Sequence, residues 1–123
     1  MNDSSTKFKI AFYFWLILML IGSSIPVRFI SPEKMISWDK LAHLLEYSIL
    51  AVLYHLMQRQ NGKSLLMRHY LLLALALPAI DELHQLLIPG RSCSYLDFTA
   101  DFLGVSGIFL LLLILRKSRK IRI

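Results

Sequence analysis

The sequence predicts an all-α integral membrane bundle of four transmembrane helices, with both termini cytoplasmic and a short interfacial turn between helices 1 and 2. Three observations predict it. Of 123 residues, 56% are hydrophobic, well above the usual globular share. The apolar residues gather in four runs, each near the roughly 20 residues a helix needs to span a bilayer. Ten of the fourteen Lys and Arg residues fall at one set of run ends, as the positive-inside rule requires of a cytoplasmic face. The length fits one domain, 1–123. No repeat, low-complexity run or long linker divides it.

The first run is Ile10–Val27, preceded by Lys7 and Lys9. Phe12, Tyr13, Phe14 and Trp15 read as a lipid-facing stretch. The same segment, ending in Gly22-Ser23-Ser24, also has the pattern of a cleavable secretory signal. In the loop SPEKMISWDK, Ser31 and Pro32 suit an N-cap and an N1 proline opening the interfacial turn. Ser37 then suits a cap for the second run, Trp38–Met57, with Asp39 in its first turn facing the positive helix end. The third run is Tyr70–Ile88. Pro78 lies within it and cannot donate to the carbonyl of Ala74, so a kink is expected. Pro89-Gly90 signals a turn, and Ser94 is placed to cap the fourth run, Tyr95–Leu115. Gly104 and Gly107 permit a close helix contact there. The tail RKSRKIRI is expected to be solvated and to touch anionic lipid.

Charge is segregated along the chain. Arg28, Lys34, Lys40 and Arg91 lie on the outer side, together with seven of the eight acids. The formal charge of +6 therefore follows membrane orientation, and nucleic acid is not an expected partner. The single cysteine, Cys93, excludes an intrachain disulfide and a cysteine-based zinc site. It reads as an incidental loop thiol.

Three sets of polar residues fall in the outer halves of the runs. Asp39, His43 and Tyr47 are spaced i, i+4, i+8 on one stripe, with Glu46 beside it. Asp81 and Gln85 are i, i+4, flanked by Glu82 and His84. Asp97 and Asp101 are i, i+4, with Asp101 about 6 Å deeper. A carboxylate facing lipid near a helix centre costs about 2.5–3.5 kcal/mol. Turning the acids toward one wetted pocket removes that cost. His43 is the candidate general acid or base, oriented by Asp39 or Glu82, with Tyr47 as a deeper donor. Lys40, Asp81, Gln85, Arg91, Ser94, Asp97 and Asp101 are candidate ligand-binding residues. Arg91, the Ser94 hydroxyl and the free N–H groups of the helix start suit a phosphate or carboxylate; an Arg91–Asp97 or Arg91–Asp81 bridge is the structural alternative. No strict metal motif is present and no cofactor is expected, although Asp81, Glu82, Asp97 and Asp101 form an oxygen-rich set of the kind that holds Mg²⁺ or Ca²⁺. His55 and His69 read as interfacial residues.

The stretch Asp39-Lys40-Leu41-Ala42-His43, continuing to Tyr47, resembles the DKxxHxxxY segment of the VanZ-like membrane protein family. Asp81-Glu82-Leu83-His84-Gln85 with Pro89-Gly90-Arg91-Ser92-Cys93-Ser94-Tyr95-Leu96-Asp97 resembles that family's DExxQxxxPGRxxSxxD segment. Asp101 stands where many members have Asn, ahead of Gly104. The resemblance covers about 38–107. It implies a bacterial inner-membrane protein acting at the envelope, in a family named for a protein associated with resistance to teicoplanin-type glycopeptides. It assigns no reaction. The expected ligand is an anionic envelope component, a phosphate-bearing lipid or cell-wall precursor, with membrane lipids as general partners. A non-catalytic binding or shielding protein is the alternative, and a small proton-coupled carrier a third. The PSGH signature of phosphatidic-acid-phosphatase-type enzymes is absent.

Overall fold

The computed structural model describes residues 3–26, 32–60 and 66–120. They form an all-α bundle of four rods. Helix α1 is Asp3–Ser23 and α2 is Pro32–Gln60. The third rod joins α3 (Met67–Leu71), a π-helical turn (Leu72–Ala76) and α4 (Leu77–Gln85). Helix α5 is Tyr95–Lys120. Among the described residues, two stretches are long and apolar enough to cross a membrane, Thr6–Ser23 and Tyr95–Ser118. In α2 and the third rod, charged residues of the polar centre described below interrupt the apolar sequence.

Two start signals are reassigned. Helix α2 begins at Pro32, whose fixed φ and missing N–H suit a first helical position, and no Gly or Pro follows to stop it before Gln60. Ser37 therefore lies inside the helix, past its start, and Asp39 is not a first-turn acid. The turn expected ahead of the second run is, from Pro32 onward, part of α2. Ser31 and Val27 lie outside the described residues.

Pro78 is preceded by the π turn, in which the Leu77 N–H reaches the Leu72 carbonyl. Widening the ladder just before the proline opens the helix where Pro78 has no donor to give. At the other end of α4, Arg91 N–H donates to Ile88 O at 3.1 Å and Gly90 has φ 81°. Pro89 and Gly90 thus occupy the central positions of a type II turn, whose second central residue needs positive φ.

The rods run up and down. One end brings together the C-terminus of α1, the start of α5 and the Asp39–His43 region of α2. The opposite end carries an aromatic ladder with one ring from each rod. Phe12 of α1 meets Tyr54 of α2 at 5.8 Å, Tyr54 meets Tyr70 of α3 at 5.5 Å, and Tyr70 meets Phe109 of α5 at 4.8 Å. Such pairs contribute about 0.5–1.5 kcal/mol each beyond their area. Between the two ends lies an apolar layer of buried Leu50, Ala51, Ala74 and Val105.

The expected lipid-facing aromatics of α1 divide by face. Tyr13 and Phe14 are exposed and Phe12 is buried, while the Trp15 indole N–H donates to the Glu46 carbonyl at 3.0 Å. The two glycines of α5 also divide. A Cβ at Gly104 would lie 2.6 Å from the Leu44 carbonyl oxygen, and one at Gly107 would meet nothing within 4 Å. Gly104 therefore lies against the α2 backbone, and Gly107 makes no such contact.

Candidate functional site

At the first end, α2, α4 and α5 turn their polar residues inward. His43, Glu82, Gln85, Asp97 and Asp101 are all buried, Asp101 completely (0% exposed). The pairing runs across helices. His43 Nδ1 lies 2.9 Å from Asp101 Oδ1, and its Nε2 lies 4.0 Å from Asp97 Oδ2. The Lys40 ammonium pairs with Asp97, lies 3.8 Å from Asp39 and 3.4 Å from Ser94 Oγ. Gln85 donates to Asp81 Oδ2 at 3.2 Å.

The start of α5 is capped from two directions. Ser94 Oγ accepts the Asp97 N–H at 3.3 Å, as an N-cap serine should. The Ser94 N–H donates to Glu82 Oε2 at 2.6 Å. In a capping box that second bond comes from a Glu or Gln three residues into the same helix; here α4 supplies the carboxylate. Glu82 is thus committed to the backbone, and the expected orientation of His43 by Glu82 or Asp39 is replaced by Asp101. Asp39 is partly exposed and faces Lys40. Tyr47 is buried and lines a cavity of about 90 Å³ with Leu16, Met19, Leu77, Asp81 and His84.

Arg91 lies apart from this centre. Its Nε donates to Ile25 O at 3.1 Å and its Nη2 to Gly22 O at 3.1 Å. Gly22 lies in the last turn of α1, which holds no basic residue, and Ile25 lies two residues past its end. The last four carbonyls of a helix have no partner within it, and a cation there is favoured by the helix dipole. Among the described residues Arg91 is placed at this end of α1, and the expected bridge to Asp81 or Asp97 is not formed. His84 joins the same seam. Ser24 Oγ donates to Leu20 O at 2.7 Å, so His84 Nε2, 2.9 Å away, is the donor to that hydroxyl.

Sequence reasoning missed a second polar cluster at the opposite end. Gln58 Nε2 donates to the Tyr54 hydroxyl at 2.8 Å, which lies 2.6 Å from His69 Nδ1. The Tyr70 hydroxyl lies 3.4 Å from His55 Nδ1. His55 and His69 therefore tie α2 to α3. The legible signal was the Tyr54/Gln58 pair at i, i+4.

A sequence model of the VanZ/LLP1 family matches residues 3–116. The chain belongs to the VanZ/LLP1 family. No match is found among curated proteins or among solved structures. The match reaches beyond the motif-bearing 38–107 to include α1, in keeping with the contacts that α1 and the residues just after it make through Trp15, Gly22, Ser24 and Ile25.

In this VanZ/LLP1 chain the centre is an acid-rich site with its cations already engaged. Asp39, Asp81, Glu82, Asp97 and Asp101 face Lys40 and His43. The expected set of Asp81, Glu82, Asp97 and Asp101 does not act as one group, because Asp97 is held by Lys40 and Glu82 by the Ser94 N–H. The groupings that do converge are Asp39–His43–Asp97 and His43–Asp81–Asp101, each with one donor atom per residue within 4.8 Å of the others. The loop thiol of Cys93 is exposed. Partial desolvation, then the neighbouring Glu82 carboxylate, push its pKa above the ordinary value, which makes it a slow nucleophile.

Proposed function

We propose that this protein spans the bacterial inner membrane four times with both termini in the cytoplasm, and that its outer polar centre binds or modifies a phosphate-bearing envelope lipid or cell-wall precursor. The observation that carries the reading is the inversion of polarity across the bundle. His43, Glu82, Gln85, Asp97 and Asp101 are buried, while Leu20, Ile49, Leu72, Leu83 and Ile114 are exposed. In water the exposed leucines and isoleucines would be the liability; in hydrocarbon the buried acids are the residues that must be hidden. Exposed Trp38 and Tyr95 flank the polar end at the level where an aromatic belt sits.

Lys40, about a quarter exposed, together with the Ser94 hydroxyl, offers the phosphate contact. His43, held by Asp101, offers proton transfer. Altered susceptibility to teicoplanin-type glycopeptides is the expected cellular consequence. A non-catalytic binding role uses the same Lys40 and Ser94 contacts without His43. The carrier reading lacks support, because Leu50, Ala51, Ala74 and Val105 separate the outer centre from the Tyr54–His69 cluster.

Native mass spectrometry of the purified protein tests the ligand. Wild type should retain a phosphate-bearing lipid that Lys40→Met loses; equal lipid retention by both would sink the reading. His43→Gln that keeps the lipid and the resistance phenotype would favour binding over chemistry. Cys93 tests the orientation. A membrane-impermeant maleimide should label it in intact spheroplasts, faster as the pH rises toward the thiol pKa. Labelling that requires permeabilised membranes would reverse the topology.

A further inference from the structure

Of the two triads that share His43, one has a cation built into it and the other does not. The Lys40 ammonium already serves Asp97 and Asp39. Around Asp81 and Asp101, among the described residues, the only basic partner is His43. Asp101 is fully buried. Its Oδ1 faces His43, and its Oδ2 is a buried oxygen with no hydrogen-bond partner. An unpartnered carboxylate oxygen in such a place carries its full desolvation penalty. Either a proton or a metal ion relieves it.

The geometry favours a metal ion. His43 Nδ1 and Asp101 Oδ1 are 2.9 Å apart, close to the separation of neighbouring ligands around an ion whose bonds are about 2.0–2.2 Å long. Asp81 brings the third donor within 4.8 Å of both. Gln85, itself buried, donates to Asp81 Oδ2. It is the kind of outer partner that fixes a ligating carboxylate. We propose that His43, Asp81 and Asp101 form a binding site for one divalent first-row metal ion. One imidazole and two carboxylates suit Mn²⁺ or Zn²⁺ better than the all-oxygen preference of Ca²⁺. Three protein ligands leave positions open on the ion. This deepens the proposed function, since a metal ion lets an acid-lined centre hold a phosphate. The site itself stands without any lipid.

The test titrates the full-length protein in detergent with Mn²⁺ alone, read by electron paramagnetic resonance. One saturable ion per chain is expected, carrying hyperfine coupling to a single imidazole nitrogen. This measurement needs no variant, so it holds even where a substitution disturbs folding. Asp81→Asn and Asp101→Asn should each weaken Mn²⁺ by at least about 10-fold, the lower end of what losing even an outer partner costs. Asp39→Asn should change it by less than about 3-fold, and Zn²⁺ should displace Mn²⁺, as the affinity order requires. Absence of a saturable site, a bound ion without nitrogen coupling, or a loss of affinity in Asp39→Asn with none in Asp81→Asn would each overturn the assignment. Failure of lipid binding with an intact metal site would instead count only against the proposed function.

Discussion

Replacing Gly104 and Gly107 by alanine, one turn apart on the same helix, should move stability in opposite directions. At Gly104 the new methyl would sit 2.6 Å from Leu44 O, 3.1 Å from Ser48 N and 3.2 Å from Ser48 Oγ. A carbon and a carbonyl oxygen approach to about 3.3 Å, so α2 and α5 must part by roughly 0.7 Å there. Two of the three obstacles are backbone atoms, which cannot rotate away. A gap of 0.5–1 Å forfeits about a quarter to a half of each dispersion contact, and overpacking of this kind costs about 1–3 kcal/mol. Alanine returns up to about 1 kcal/mol of helix propensity. Gly104→Ala should therefore destabilise by about 1–2 kcal/mol. At Gly107, where nothing lies within 4 Å, only the propensity gain remains, so Gly107→Ala should be neutral or stabilising by up to about 1 kcal/mol. Reversible unfolding in mixed micelles, followed by the fluorescence of Trp15, measures both. Equal stability of the two variants would refute the close approach of α2 and α5.

Further outcomes follow from single contacts. Arg91→Ala removes the bonds to Gly22 O and Ile25 O at the end of α1 and should cost about 1–2 kcal/mol; amide exchange should rise at residues 20–25 while the start of α5 stays protected. Lys40→Met strands the buried Asp97 and should cost about 2–4 kcal/mol, with Asp97→Asn added on top recovering at least half of it in a double-mutant cycle. Ser94→Ala should cost about 1 kcal/mol and fray the first turn of α5, seen as faster exchange of the Asp97 amide.

Periodicity supplied each helix with its polar face, and those faces do converge. It could not supply the pairing across helices, which depends on axial offset and rotation. On α2, Asp39 and His43 share a stripe, so either could have been expected to meet the same partner. The offset of α5 instead puts Asp97 beside Lys40 and Asp101 beside His43. Glu82 was misread for a related reason. Its oxygen answers to a backbone donor, the Ser94 N–H, which no side-chain pattern reveals. Arg91 was legible in principle. Helix α1 ends in Gly-Ser-Ser-Ile-Pro without a basic residue, so its terminal carbonyls needed a donor from elsewhere. The nearby acids Asp81 and Asp97 made a local bridge the more obvious reading.

The glycine and the acid of α5 belong to one device. Aspartate is the shortest acid, and His43 Nδ1 can lie 2.9 Å from Asp101 Oδ1 only where the two backbones run close. Gly104, three residues on and therefore one turn along the same face, is the position at which α5 touches the α2 backbone. Ser48 reinforces the contact: its hydroxyl donates to Leu44 O at 2.7 Å, turning its polar atom back onto its own helix at the crossing. The apolar layer of Leu50, Ala51 and Val105 then begins directly beneath. A missing side chain thus sets the reach of the buried carboxylate. That explains why the polar centre lies against the close α2–α5 contact at Gly104, and not in the seam along α1 where the Tyr47 cavity opens.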